Sequence, residues 1–300
     1  MPIRYDITHT TCYRYREPVG FGEHRVMFRP RDSHDLRVLA TDLVCSPEAQ
    51  VRLIQDPHSN SVALVTPLER AAELKIVCTF TIEHAPGDGS ELELSPSALI
   101  FPFAYSVQER LDLEHYMRPL HDDPDGVLTQ WARQFMQAGG PTGTRDLLLQ
   151  MNQFIRDNFE YKARDEEGTQ PPLQTLKLGS GSCRDFALLM MEAVRSLGMA
   201  ARFVSGYLYD PSLDSAAPGD EAGATAGAGS THAWLQVYLP GAGWVPFDPT
   251  NNLRAGNSQL IRVGVARDPA QAAPISGSWY GPAEAYLGLT ATVQVRRIAG

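Results

Sequence analysis

The chain has 300 residues, which is enough for a substantial core and leaves room for two domains, because single cores usually stop growing near ~250 to 300 residues. Hydrophobic residues make up 43% and charged residues 20% of it, which is typical of globular proteins and excludes the disordered and collagen-like classes. With 26 basic and 35 acidic side chains the net charge is -9, which repels phosphate backbones and anionic lipids, so we expect no nucleic acid and no membrane partner.

The beginning of the chain and its apolar runs bear on location. Residues 1–6 lack the apolar core of a signal peptide. The longest apolar run, 98–105, is interrupted by Pro102 and is far shorter than the ~18 to 20 residues that span a bilayer. We therefore expect a cytoplasmic protein, and the sequence leaves its oligomeric state open.

Short runs of β-branched and aromatic residues, separated by Pro, Gly, Asp and Asn, fill the first part of the chain. Turn signals every ~8 to 12 residues predict an antiparallel β-sandwich, which we assign to residues 1–105. A linker follows at 106–141, with one predicted helix at 127–138. The six strand candidates are 5–15, 25–28, 36–45, 51–55, 61–66 and 74–84.

The remaining residues, 142–300, alternate between helix and strand patterns. An amphipathic helix is predicted from 142 to 159, and a second helix begins near Cys183 and stops at Gly198. Strands are expected at 201–209, in a hairpin at 232–247 and at 290–298. The loop at 210–230, rich in Ala and Gly, runs into His232 and is either a gate over a site or a tolerated insertion. The predicted fold class is α+β.

The four cysteines, at positions 12, 45, 78 and 183, include no C-x-x-C pair. This spacing predicts neither a zinc ribbon nor a dense disulfide framework. The first three lie in strand-like segments, where a buried inert thiol is expected. The histidines form no ligand pattern, and no phosphate-binding loop is present, so we expect no metal, no nucleotide and no other cofactor.

Cys183 stands out because it opens a predicted helix. Ser182 and Asp185 have the spacing of a capping box, which makes Ser182 the N-cap and Cys183 the first helical residue. A thiol there lies at the positive end of the helix dipole, among free N–H groups that favour a thiolate and could stabilise an oxyanion. On this local evidence alone, a cysteine that opens a helix is more often structural than reactive.

His232 and Asp248 could complete a nucleophilic site, since a thiol needs a base and the base needs an orienting group. They lie on the two strands of the predicted hairpin. A symmetric hairpin that pairs Leu239 with Trp244 puts Asp248 opposite Leu235, about 10 Å along the strand from His232. We therefore expect a bulge or irregular pairing if the two side chains are to meet.

Four segments together resemble the core of the bacterial transglutaminase-like superfamily. They are 181–187 (GSCRDFA), 201–207 (ARFVSGY), 232–234 (HAW) and 243–250 (GWVPFDPT), and they follow in the family's order. Residues 5–11 and 56–60 are similar to the family's N-terminal β-sandwich region, and 266–277 to its trailing segment. The resemblance implies a papain-like catalytic triad of Cys183, His232 and Asp248.

The resemblance implies a thiol enzyme that acts on peptide or protein amides through a thioester on Cys183, with hydrolysis by a cysteine protease or amidase as the leading hypothesis. An amine-accepting transglutaminase and a non-catalytic binding module that keeps the fold are the alternatives. Three aromatic residues are candidates for substrate binding. Trp234 and Trp244 could wall an acyl cleft, although large aromatics in a hairpin are more often core. Tyr161 could face the site, although a packed tyrosine fits the pattern better.

Overall fold

The computed structural model describes residues 2–298 except 86, 88–92, 165, 214–225, 227–228 and 255. The helices in these ranges are α1 (Val107–Met117), α2 (Val127–Arg133), α3 (Thr144–Asn158), α4 (Pro172–Leu178) and α5 (Cys183–Ser196). The strands are β1 (Ile3–Phe21), β2 (His24–Val26), β3 (Leu36–Ser46), β4 (Ala49–Gln55), β5 (Ser61–Pro67), β6 (Ala71–His84), β7 (Ile100–Phe101), β8 (Thr142–Gly143), β9 (Glu160–Tyr161), β10 (Ser180–Gly181), β11 (Ala201–Leu208), β12 (Thr231–Leu239), β13 (Gly243–Asp248), β14 (Leu253–Arg254), β15 (Leu260–Ala266), β16 (Ile275–Ser276), β17 (Trp279–Tyr280) and β18 (Tyr286–Ile298). Most of the predicted 210–230 loop lies outside the described residues.

The N-terminal part is a sandwich of two antiparallel sheets, as predicted. One sheet has the order β18–β1–β6–β3, with β17 on the end of β1, and the other has the order β16–β2–β5–β4. Strand β6 explains why they pack face to face, because its even-numbered residues from Leu74 to His84 are buried. These side chains meet Val26 and Val65 of the other sheet in one apolar cluster.

The last strand returns to the first sheet. β18 pairs with β1 from Tyr15↔Tyr286 to Arg4↔Ile298, so the end of the chain adds to the N-terminal sheet and not to the sheet that carries the hairpin. The sequence predicts this strand at 290–298, but nothing local specifies a partner almost 300 residues away. The division of the chain at 105 and 141 stays a prediction, although the C-terminal strands lie in space with the N-terminal region.

The second part is an antiparallel sheet with helices packed on it, in the order β14–β13–β12–β11–β15. The apolar stripe of α5, which includes Ala187 and Met190, packs against Leu235 and Val237 of β12. Helix α5 ends at Ser196 and is followed by Gly198 at φ 87°, the left-handed position predicted for it. The chain as a whole is α+β, which confirms the predicted fold class.

The linker holds one more helix than predicted. Helix α1 begins with a capping box. The Ser106 hydroxyl oxygen accepts a hydrogen bond from the Glu109 N–H, and the Glu109 carboxylate accepts one from the Ser106 N–H. Its apolar stripe is thin, with only Leu113 and Tyr116 buried, so periodicity did not reveal it. The predicted helix 127–138 ends at Arg133. None of the helices among the described residues is long and apolar enough to cross a membrane.

The hairpin register corrects the sequence prediction. Leu239 pairs with Gly243, not with Trp244, and the ladder runs without a shift to Leu235↔Phe247. A one-residue change of register moves every side chain to the other face. In the observed register Asp248 is the position opposite Trp234, two residues from His232 and on the same face. No bulge between β12 and β13 is needed for a diagonal contact.

Candidate active site

Cys183 is the first residue of α5, and the turn before it is held by Asp185. The Ser182 N–H and hydroxyl both donate to Asp185 Oδ2 at 2.8 Å, which is the predicted cap. Gly181 lets the chain pass close by, since a Cβ there would lie 2.8 Å from the Asp185 Cβ. Cys183 is 7% exposed. The cap therefore places its thiol at the N-terminus of α5, with little of its surface open to solvent.

Asp185 is buried yet charged. The Gln170 N–H donates to its Oδ1 at 2.7 Å, and the Arg164 guanidinium forms an ion pair with the same oxygen at 2.8 Å. Burial alone would raise the pKa of this carboxyl, but the hydrogen bonds from Gln170 and Ser182, together with Arg164, hold it below its usual range. Arg164 thereby balances the negative charge of Asp185, two residues from Cys183.

His232 and Asp248 meet as the sequence resemblance implies. His232 Nε2 lies 2.8 Å from Asp248 Oδ2, and neither side chain is exposed. Asp248 Oδ1 accepts the Thr250 N–H at 2.9 Å, which fixes the carboxylate plane. Since a carboxylate only accepts, Nε2 carries the hydrogen and Nδ1 is left for another group.

That other group is Cys183. Nδ1 makes no hydrogen bond of ordinary geometry, yet the Cys183 side chain is close enough to interact with the ring. Burial lowers the pKa of His232, but the Asp248 carboxylate and, less strongly, Cys183 raise it, and the net result is a pKa well above the usual value. The charged form of the ring is therefore stabilised between a carboxylate and a thiol.

Tyr161 lies beside this group. It pairs with Gly181 through the parallel β9–β10 contact, two residues before Cys183, and 38% of its surface is exposed. Burial of its hydroxyl and the nearby charge of Cys183 raise the pKa of Tyr161 to about 12. Tyr161 therefore lies near the thiol, and its contact with substrate stays a prediction.

Neither of the two candidate tryptophans walls a cleft at Cys183. Trp234 is 1% exposed and packs with Val204 and Leu260, and its ring stacks on His232 with 6.0 Å between centroids. It supports the histidine from within the core and has no free face to wall a cleft. Trp244 is opposite Tyr238, near the turn of the hairpin, where the Arg202 guanidinium lies 4.2 Å over its ring. The structure does not bring Trp244 to Cys183.

Gly206 is a site residue that the sequence analysis missed. It pairs with His232 across β11 and β12, and a Cβ there would lie 2.2 Å from the Ile261 carbonyl oxygen and 2.6 Å from the Trp234 ring. The register of β11 against β15 shifts between Ser205 and Gly206 at the same point. A glycine inside a predicted strand is a signal of such close approach.

The other cysteines differ from Cys183 in surroundings. Cys12 and Cys78 are buried and Cys45 is half-buried, all within the sandwich sheets. Burial raises the pKa of each of these thiols, that of Cys78 to about 11. A raised pKa leaves less thiolate at neutral pH, and the inertness of these three thiols stays a prediction.

Two family models match the chain. Residues 129–249 match the transglutaminase-like superfamily, a range that contains Cys183, His232 and Asp248. Residues 5–83 match the bacterial transglutaminase-like N-terminal region, which corresponds to β1 to β6.

The chain is also similar to whole proteins. An uncharacterized protein of Mycobacterium leprae is 25% identical over 99% of both chains, and one of Mycobacterium tuberculosis is 28% identical over 94% of this chain and 89% of its own. Among solved structures, a candidate cysteine protease from Cytophaga hutchinsonii superposes with a TM-score of 0.71 at 19% identity, covering 100% of this chain and 92% of that one. The similarity to the Cytophaga hutchinsonii structure shows a shared fold.

Proposed function

Because this chain belongs to the transglutaminase-like superfamily and carries the bacterial N-terminal region of that family, we propose that it is a cysteine protease or amidase that cleaves peptide or protein amides through a thioester on Cys183. The observation that carries the proposal is the 2.8 Å contact from His232 to Asp248, with Cys183 on the other side of the ring. All three members needed for a thiol mechanism are present, which favours catalysis over a binding module that keeps only the fold.

In the first half-reaction, Cys183 Sγ attacks the amide carbonyl carbon and the C–N bond breaks. The imidazolium of His232 donates its Nδ1 proton to the departing nitrogen, so an amine leaves and the acyl group stays on sulfur. Asp248 keeps the Nε2 hydrogen in place throughout, which fixes the tautomer that returns. The raised pKa of His232 keeps the ring protonated until the amine departs.

In the second half-reaction, water attacks the thioester. His232, now neutral, takes a proton from the water, the C–S bond breaks, and the acid is released. The thiolate and the imidazolium are restored, so the cycle needs no metal, oxidant or cofactor.

Two groups are suited to the substrate carbonyl and its surroundings. The backbone N–H of Cys183 lies in the first turn of α5, where N–H groups have no intrahelical acceptor and the dipole favours an oxyanion. Tyr161 offers a partly exposed phenol next to the thiol and is the substrate-contacting residue of this proposal.

The experiment is to trap the acyl-enzyme. Acid quenching of the parent during turnover of a peptide library should preserve an acyl group on Cys183 that intact-mass and peptide mass spectrometry identify, whereas His232→Ala, which lacks the proton donor for the departing amine, should accumulate none. Cys183→Ala is the matched control and should gain no mass. Absence of an adduct on Cys183, with the parent also failing to cleave any library member, would contradict the proposal.

The acyl acceptor is read in the same experiment with the parent enzyme. In water labelled with ¹⁸O, hydrolysis puts one heavy oxygen into each product acid. An added primary amine that appears in the product as a new amide, in place of the heavy oxygen, would instead support a transglutaminase.

A further inference from the structure

The contact between His232 and Asp248 is made where the strands have separated. The β12–β13 ladder ends at Leu235↔Phe247, so no backbone hydrogen bond joins the strands at the two catalytic positions. The backbone of His232 is set by its pairing with Gly206 on β11, and that of Asp248 by its pairing with Leu253 on β14. Side-chain hydrogen bonds at this end of the hairpin therefore add to the backbone pairing with β11 and β14.

Asn251 spans this gap. Its Nδ2 donates to Asp248 Oδ2 at 3.2 Å and to the Ala226 carbonyl oxygen at 3.1 Å. Asn251 follows β13, whereas Ala226 lies on the segment that leads into β12. Both partners are acceptors only, so the amide nitrogen and not the amide oxygen must face them.

Asp248 depends on this donor. Its carboxylate is fully buried, and its donors in the described part of the chain are the Thr250 N–H on Oδ1 and His232 and Asn251 on Oδ2. A buried carboxylate needs several donors to stay ionised, and hydrogen bonds to charged groups are stronger than neutral ones. Asn251 supplies the only side-chain donor to it besides the histidine among these residues.

We propose that Asn251 is a positioning residue, which holds Asp248 in the orientation that keeps His232 Nε2–H bound and the ring turned toward Cys183. This inference rests on the proposed function. Asn251 carries no local sequence signal for this role, because the contact forms only when the turn after β13 folds back on the segment before β12.

Among the described residues, the ionisable groups that raise the pKa of His232 lie on two different elements. Asp248 on β13 and Cys183 on α5 both raise its pKa, and Tyr161 on β9 faces these two groups. Loss of Asn251 leaves all three in the chain and removes one hydrogen bond that orients and stabilises the Asp248 carboxylate. A change in His232 titration in an Asn251 variant would thus report on positioning.

The test uses Asn251→Ala in the full chain, with Asn257→Ala as control, since Asn257 donates to Gln259 in the next loop and touches no triad member. NMR follows the titration of the His232 ring, and trapping on Cys183 follows acylation. We expect Asn251→Ala to lower the His232 pKa and to slow acylation about tenfold, the usual size for one hydrogen bond to a charged group. The control should match the parent in both.

Asn251→Asp provides a second variant of the same shape. It places an acceptor where a donor stood, next to Asp248, so it should slow acylation at pH 7 more than alanine does and recover partly at lower pH. Unchanged His232 titration and acylation rate in both variants would overturn the positioning role. If the thiol mechanism itself is wrong, the parent fails to acylate Cys183 while the shift in His232 titration persists, so the two failures are distinguishable.

Discussion

Replacement of Asp248 by Asn isolates the charge that acts on His232. The variant is isosteric, but it exchanges an acceptor-only group for one with both a donor and an acceptor. If the amide oxygen faces His232, the amide nitrogen meets the Thr250 N–H, which also donates. If the amide flips, a donor faces Nε2 and forces the hydrogen onto Nδ1, the wrong tautomer for accepting a proton there.

The magnitude follows from the raised pKa of His232. Burial lowers it, yet Asp248, with a smaller contribution from Cys183, raises it from 6.5 to about 10, so the ring is almost fully protonated at pH 8. Without the carboxylate the pKa falls to about 6.5 or lower, and at most ~3% of the ring is protonated at pH 8. We expect acylation of Cys183 at pH 8 to slow by about 30-fold from this loss, and further from the tautomer change.

The assay pairs NMR titration of the His232 ring with acyl trapping on Cys183 at pH 8. Asp42→Asn is the matched control, because Asp42 is exposed on β3 in the sandwich, away from the triad. In the parent the ring should remain charged well above pH 6.5, and in Asp248→Asn it should not. A parent ring that titrates at or below 6.5, or an Asp248→Asn ring that titrates like the parent, would refute the reasoning.

Three further results are expected. Gly206→Ala should destabilise the fold by about 1 to 3 kcal/mol in urea unfolding and slow acylation, because the new methyl displaces Trp234 under His232, whereas Gly87→Ala, with nothing within 4 Å, should do neither. Arg164→Met should cost about 1 to 3 kcal/mol of unfolding free energy, since it strips the buried Asp185 of its ion pair; a variant as stable as the parent would show that the remaining donors suffice. In a Cys183→Ala background the raised His232 pKa should make unfolding free energy fall as pH rises above 6.5, and a flat profile from pH 6 to 9 would mean that Asp248 does not hold the proton.

Much of the fold could be read locally. Strand β6 alternates Leu74, Ile76 and Phe80 with exposed residues, and such a period of two identifies a half-buried strand without knowledge of its neighbours. The start of α5 could also be predicted from the local sequence, because Ser182 and Asp185 lie three residues apart and cap the same turn. The triad residues followed from the family resemblance and from their order along the chain.

The predictions that were wrong or absent concern how separate segments of the chain meet. The hairpin register was misplaced by one residue because the chain turns over Pro240–Ala242, and one position decides whether Asp248 shares a face with His232. The sequence predicts Trp234 as a candidate cleft residue, but the structure buries it against Gly206. The proposed role of Asn251 depends on its contacts after folding, among them the hydrogen bond to Ala226. These contacts join loops and neighbouring strands, for which the local pattern carries no signal.

The rate at which iodoacetamide alkylates each cysteine at pH 6 tests whether His232 activates the Cys183 thiol. An ordinary thiol with a pKa near 8.5 is about 0.3% thiolate at this pH. Exposure alone would favour Cys45, which is half-buried, over Cys183, which is 7% exposed. We predict the opposite order: Cys183 should react at least tenfold faster than Cys12, Cys45 and Cys78, and this advantage should vanish in His232→Ala. A Cys183 that reacts no faster than Cys45, or equally fast without His232, would contradict it.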